Sequence, residues 1–153
     1  KSMGAEVTGV ASTKKLDFVR SLGADRVIDY TRDDFTELGD RYDRILDIAA
    51  SRGIGDIRRA LTPTGAYIAI GGSLTLVFGA MLVGLVMPLA GKQRAGLPLW
   101  KPFNPPDVAA LSRMLEAGTI KPAIDRRYPL SEVPDALRYV ADGHALGKLV
   151  ITI

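Results

Sequence analysis

The first half of the chain breaks into short apolar runs separated by stretches whose apolar positions fall on helical spacing. Glu6 to Val10 (EVTGV) predicts a strand, and TKKLDFVRSLG after it predicts a helix with Leu16, Val19 and Leu22 on one face, Thr13 as N-cap and Gly23 as stop. RVIDY predicts the next strand, RDDFTELGD a short helical or loop connection, and YDRILDIA a third strand. GIGDIRRAL predicts a helix closed by TPTG, and AYIAIGG a fourth strand ending in two glycines. Strands separated by helices of about ten residues imply right-handed crossovers and a parallel sheet covered on both faces. Continuously apolar strands such as YIAI belong to such a sheet.

Between Ala60 and Gly91 there is no charged residue, and Leu74 to Ala90 (LTLVFGAMLVGLVMPLA) is almost wholly apolar. A membrane span needs roughly 20 apolar residues. This run is shorter and contains Gly79, Gly84 and Pro88, so it reads as a helix buried on most sides or one meeting a partner subunit. RAGLPLWKPF reads as an edge strand, interrupted by Pro98 and stopped by Pro102. PPDVAALSRMLEAG is a well-signalled helix, with Asp107 near its start and Gly118 just past its end. The last thirty residues depart from the earlier alternation. PAIDRRYPL is strand-like, SEVPDALRYVADG a helix, and GKLVITI a terminal strand with no further crossover to close.

Composition narrows the chemistry. A chain of 153 residues, 47% hydrophobic and 24% charged, is about one folded domain's worth. A net charge of +3 permits an anionic ligand, but the basic residues are interleaved with acids, which argues against a nucleic-acid tract. The absence of cysteine removes disulfides, thiolate chemistry and cysteine-ligated zinc. With His144 the single histidine, no usual catalytic metal cluster can be assembled. No signal pattern opens the chain, so a reducing, cytoplasmic setting without a membrane is the expectation.

GAEVTGVASTKKLDFVRSLGADRVIDY, YDRILDIAA, LTPTGAYIAIGG and IDRRYPLSEVPDALRYVADGHALGKLVITI, in that order, closely resemble the C-terminal portion of a medium-chain dehydrogenase/reductase. The nearest branch is the zinc-type alcohol dehydrogenase-like and NADPH:quinone oxidoreductase-like one. LGADRVIDY and GHALGKLVITI are the most specific pieces. The resemblance implies an α/β, Rossmann-type doubly wound parallel sheet that is truncated. The first strand, its glycine-rich VLVxGAxGGVG turn and the GroES-like catalytic domain are absent, and Lys1 to Met3 would be the tail of the helix after that turn. Residues 1–121 would form an incomplete dinucleotide-binding domain, and 122–153 a segment that in the family returns to the catalytic domain. In the usual 3-2-1-4-5-6 strand order the absent strand is central, so the EVTGV strand would face a gap.

The same resemblance assigns candidate residues. NAD sites place a carboxylate at the end of the second family strand to bind both ribose hydroxyls, whereas a 2′-phosphate is repelled by it and prefers hydroxyls and a cation. Here the position offers Ala11, Ser12, Thr13, Lys14 and Lys15, and the nearest acid downstream, Asp17, lies inside the helix. The pattern favours NADP (NADPH) held by Ser12, Thr13 and Lys14; the plainer reading is a helix cap followed by solvated lysines. Tyr30 stands where relatives place a tyrosine beside the adenosine phosphate, although alone it would read as a partly buried edge residue. Asp47, Gly71 and Gly72 close the next two strands, at the carboxyl ends where such sheets bind ligands; the glycines otherwise make an ordinary turn. Relatives often carry a basic residue where this chain has Leu146, which leaves Lys148 as the nearest cation. His144 reads as a turn residue, and Asp125-Arg126-Arg127 as exposed charges with an ion pair.

No catalytic residue and no metal ligand emerges. The implied reaction is hydride transfer from NADPH to a small quinone, enone or carbonyl/alcohol substrate, with this chain inactive alone. The implied assembly is a homodimer through the edge strand near Leu97 to Trp100. The alternative is a non-catalytic dimerisation module derived from the fold.

Overall fold

The computed structural model describes residues 1–48, 51–71, 79, 92–96 and 103–153. Gly72, nearly all of the apolar run at 74–90 and the edge strand at 97–100 lie outside the described residues. The chain divides into two compact units, 1–27 with 103–153, and 28–102, the division falling within the second strand.

In the first unit, β1 (Thr8–Ala11) leads into a 3-10 turn (Thr13–Lys15) and α1 (Leu16–Ser21). Gly23, at φ +97°, stops the helix as its sequence position predicts, its N–H donating to the Arg20 carbonyl at 2.9 Å. Thr13 is not the cap: Ser12 occupies that place in extended conformation, without a side-chain capping bond, and Thr13 begins the 3-10 turn. Gly9 lets α1 lie close on β1, because a Cβ there would come within 2.3 Å of Val19 Cγ1. β1 pairs with β2 (Arg26–Asp29) in a two-stranded sheet.

The same unit holds α3 (Pro105–Glu116), β6 (Ile124–Pro129), a 3-10 turn (Leu130–Glu132), α4 (Val133–Ala141) and β7 (Lys148–Thr152). Gly118, at φ +66°, ends α3, with the Thr119 and Ile120 N–H groups returning to the Met114 carbonyl. β6 and β7 are parallel, from Ile124 opposite Lys148 to Pro129 opposite Thr152. The end of the chain is therefore a β-α-β crossover, built from the strand, helix and strand that the sequence pattern predicts.

The second unit contains the parallel sheet β3 (Tyr42–Asp47), β4 (Leu61–Ala69) and β5 (Arg94–Gly96), with α2 (Ile54–Ala60) between β3 and β4. Ile57, Leu61, Tyr67 and Ala69 form its buried core, flanked by Phe35, Ile45, Ile54 and Ala95. That sheet order, with helices between parallel strands, is an α/β Rossmann-type arrangement. α2 ends at Ala60, just before TPTG, as the sequence predicts, but TPTG lies inside the next strand and not ahead of it. β4 starts at Leu61 itself, and the register shifts between Tyr42 and Arg44 so that Thr62 to Gly65 form a bulge, where a proline lacking an N–H is tolerated. Gln93 ties the start of β5 to the α2–β4 junction, its Nε2 donating to the carbonyls of Arg58 and Thr62 at 3.1 Å each. Among the described residues no helix is long and apolar enough to cross a membrane.

Candidate functional site

The two units each carry a group of the candidate residues. In the first, β1 ends at buried Ala11, and the chain turns at half-buried Ser12, whose carbonyl accepts the Lys15 N–H at 2.8 Å. This tight turn leaves Thr13 and Lys14 exposed. The nearby acid, Asp17, is engaged by Arg20 Nη1 at 2.6 Å one turn along α1. The end of β1 thus carries hydroxyls and a cation, and the nearest acid downstream in the sequence is paired with Arg20. Lys15 points elsewhere: its Nζ donates to the Ala145 carbonyl at 3.2 Å.

That carbonyl belongs to the turn Gly143 to Gly147, which is pinned from below. Asp125 Oδ2 accepts the Leu146 N–H at 2.9 Å and the Tyr139 hydroxyl at 3.1 Å. Burial, then the hydrogen bond to Asp125, pushes the Tyr139 phenol up. Arg126 lies over the Tyr139 ring, 4.1 Å from its centroid. The Asp125-Arg126-Arg127 cluster is therefore less an exposed ion pair than a scaffold: the carboxylate holds a turn and a tyrosine, and the guanidinium stacks. His144 is exposed beside Tyr139, ring centroids 5.9 Å apart, and Lys148 is exposed at the start of β7 with its N–H on the Ala123 carbonyl at 2.7 Å.

In the second unit, buried Asp29 accepts from the Thr31 N–H and hydroxyl at 3.0 and 2.7 Å, a local turn that presents Tyr30 outward with 54% of its surface exposed. Asp47 and Gly71 come together at the carboxyl ends of β3 and β4. The Asp47 carbonyl accepts the Ile70 N–H at 2.8 Å, and a Cβ on Gly71 would come within 2.7 Å of the Ile48 carbonyl oxygen. Only glycine lets the chain pass there without moving backbone.

Sequence reasoning missed the partner of Asp47. Tyr67, 3% exposed, donates its hydroxyl to Asp47 Oδ2 at 3.2 Å. Burial, reinforced by the Asp47 charge, pushes the Tyr67 phenol up to about 12. The available signal was a phenol inside the otherwise aliphatic AYIAI strand, since a buried tyrosine hydroxyl needs an acceptor. No such signal existed for Lys15.

Parallel strands with helices between them give the α/β Rossmann-type fold of the medium-chain dehydrogenase/reductases. The sequence profile described as zinc-binding dehydrogenase matches residues 22–151, and the chain belongs to that family. An NADPH-dependent alkenal/one oxidoreductase of Arabidopsis thaliana chloroplasts is 34% identical over 149 residues, which cover 96% of this chain and 33% of the relative. A 2-methylene-furan-3-one reductase of Solanum lycopersicum is 34% identical over the same coverage of each chain. Among solved structures, the quinone oxidoreductase of Coxiella burnetii superposes with a TM-score of 0.79 at 26% identity, covering 98% of this chain and 45% of that one. The chain spans about a third to a half of the length of the relatives it matches.

The zinc of the family's description does not fit these residues. The chain has no cysteine and one histidine, and among the described residues no three of His, Cys, Asp or Glu are grouped to hold a metal.

Proposed function

We propose that this chain is the cofactor-binding portion of an NADP-dependent oxidoreductase that reduces a quinone, enone or carbonyl, or oxidises the corresponding alcohol. The observation that carries this reading is the end of β1, where Ser12, Thr13 and Lys14 stand in place of a carboxylate and Asp17 is paired with Arg20. A ribose 2′-phosphate finds two hydroxyls and an ammonium there without facing an unpaired acid. The relatives' own descriptions, an NADPH-dependent alkenal/one oxidoreductase and a quinone oxidoreductase, point to the same cofactor and substrate class.

The bound nicotinamide would supply the hydride. This chain's residues would bind and orient it. Ser12, Thr13, Lys14 and Lys148 would hold the phosphorylated ribose, and Tyr30 would pack at the adenosine. Asp47, its carboxylate fixed by Tyr67, would accept from a ribose hydroxyl while Gly71 keeps the strand ends close. Gly72 joins that group by its place in the sequence. In this reading the chain alone would bind the cofactor without completing the catalytic site, which accords with its spanning 33% and 45% of the length of two of its relatives. The cysteine-free composition suits a reducing compartment, and a cytoplasmic location is part of the same reading.

The test is a fluorescence titration of NADPH against NADH, using the protein expressed from its complete reading frame. NADPH binds more tightly, and Lys14→Met weakens NADPH about tenfold while leaving NADH unchanged, the scale of one charge-assisted hydrogen bond. A wild-type preference for NADH sinks the proposal. A homodimer through the segment near Leu97 to Trp100, which the sequence pattern predicts as an edge strand, is part of the same proposal. Sedimentation as a monomer at micromolar concentration removes both that contact and the dimerisation-module alternative.

A further inference from the structure

Within the second unit, the loop after β2 and the segment after β3 are joined by an ion pair. The loop is built from two tight turns, each closed by an aspartate. Asp29 closes the turn that carries Tyr30, its carbonyl accepting the Arg32 and Asp33 N–H groups at 3.0 and 2.9 Å. Asp34 closes the next, its Oδ1 accepting the Thr36 N–H at 3.0 Å and the Thr36 hydroxyl at 2.8 Å. Asp34 Oδ2 faces the other way and meets Arg52 Nη1 at 3.2 Å, with 25% of the Asp34 and 36% of the Arg52 side chain exposed. Arg52 stands between β3 and α2, beside Gly53, the N-cap of α2. Arg59, the other arginine whose charge Asp34 feels, is paired with Asp56 at 2.5 Å. One carboxylate thus shapes its own loop with one oxygen and holds the neighbouring segment with the other.

The loop has a second attachment, since Phe35 packs against the core formed by Ile57, Leu61, Tyr67 and Ala69. A single apolar anchor fixes the place of a loop but leaves it free to pivot. A second point of attachment at Asp34, next to the turn that presents Tyr30, removes that freedom. We propose that the Arg52–Asp34 pair is a clasp that holds this turn in register with the carboxyl end of β3, and that Arg52 is a positioning residue acting through Tyr30, not a ligand of the cofactor. This deepens the cofactor reading above and rests on its placement of Tyr30 at the adenosine. Adenosine is common to NADPH and NADH, so the clasp serves both and discriminates between neither.

Dissociation constants for NADPH and NADH, measured by fluorescence titration on the protein from its complete reading frame, test the clasp. Arg52→Met weakens both cofactors by the same factor, about two- to fivefold, the scale of one half-exposed ion pair. Asp34→Asn, which keeps an acceptor for Thr36 but drops the charge, gives the same loss. Arg52→Lys restores most of the affinity, because the contact uses one guanidinium nitrogen and not a bidentate fork. The decisive comparison is a double-mutant cycle: Tyr30→Ala alone weakens both cofactors, and adding Arg52→Met to it costs nothing further. A purely structural role for Arg52 would give the same loss with Tyr30 present or absent, and that result overturns the proposal. Unchanged affinity in Arg52→Met overturns it too, as does a loss confined to NADPH, which would make Arg52 a phosphate ligand. A silent Tyr30→Ala removes Tyr30 from the adenosine and the clasp's role with it. A wild-type preference for NADH defeats the NADPH reading separately, and the same variants titrated with NADH then decide the clasp.

Discussion

Tyr67 and Asp47 join core stability to the proposed site. The phenol is buried against Ile57, Leu61 and Ala69, and its hydroxyl holds the carboxylate at the carboxyl end of β3. An unfolded tyrosine titrates near 10, whereas this one is pushed up to about 12. Between those values the folded protein keeps a proton that the unfolded chain has released. Stability is therefore unaffected by this group below pH ~10 and falls as pH rises from about 10 to about 12, by on the order of 2 kcal/mol in all. Tyr67→Phe should remove that part of the alkaline decline. At pH 7 it should cost about 1–2 kcal/mol for the lost hydrogen bond. Urea unfolding of both proteins at pH 7, 10 and 11.5 measures the difference, and parallel alkaline slopes would show that the phenol titrates normally. The Asp47 carboxylate loses its fixed orientation in the same variant, so a weaker affinity for reduced cofactor should accompany the stability change.

At the scale of elements, apolar runs bounded by glycine and proline located β1 to β4, β6, β7 and the helices between them within a few residues, because burial periodicity is local information. They failed where a tertiary contact overruled local punctuation. α2 does stop ahead of Pro63 and Gly65, but Leu61 is fully buried in the core and draws the chain directly into β4, so the breakers form a bulge inside the strand and not a loop before it. The candidate site could be nominated only where it is local: Ser12 to Lys14, Tyr30, Asp47 and Gly71 are strand-end residues, whereas the Lys15–Ala145, Asp125–Leu146 and Tyr67–Asp47 contacts join distant segments that no periodicity links. The Gly9–Val19 approach is of the same kind and yields a prediction. Gly9→Ala forces a methyl to within 2.3 Å of Val19 Cγ1, and such overpacking costs about 1–3 kcal/mol. Val19→Ala in the same molecule makes room, so the double variant should be less destabilised than the sum of the single ones. Additive losses in denaturant unfolding would mean that β1 and α1 already have space between them.

Over the whole molecule, the family's description and the chain's donor atoms disagree, and the disagreement decides what holds this polypeptide together. Structural zinc takes four ligands, chiefly thiolates and imidazoles, and contributes its binding free energy directly to folding. This chain offers no thiolate and one imidazole, and His144 sits exposed beside an aromatic ring. Carboxylates do not replace the missing donors, since the described acids are largely committed elsewhere. Asp25 bonds Lys1 Nζ and the Val7 N–H, Asp34 bonds Thr36 and Arg52, and Asp125 bonds Tyr139 and the Leu146 N–H. The Lys1 and Val7 bonds to Asp25, and the Thr36 bonds to Asp34, hold both carboxyls below their ordinary range, so each contributes stability above pH ~4 that is lost as pH falls through its lowered value. These groups fold the chain by hydrogen bonds that a metal would have to break. Elemental analysis of the untagged 153-residue chain should accordingly find zinc well below one per molecule. Treatment with a strong chelator should leave its melting temperature unchanged. Stoichiometric zinc whose removal lowers the melting temperature would require ligands that neither the composition nor the described carboxylates provide, and would overturn the reading that no metal holds this chain together.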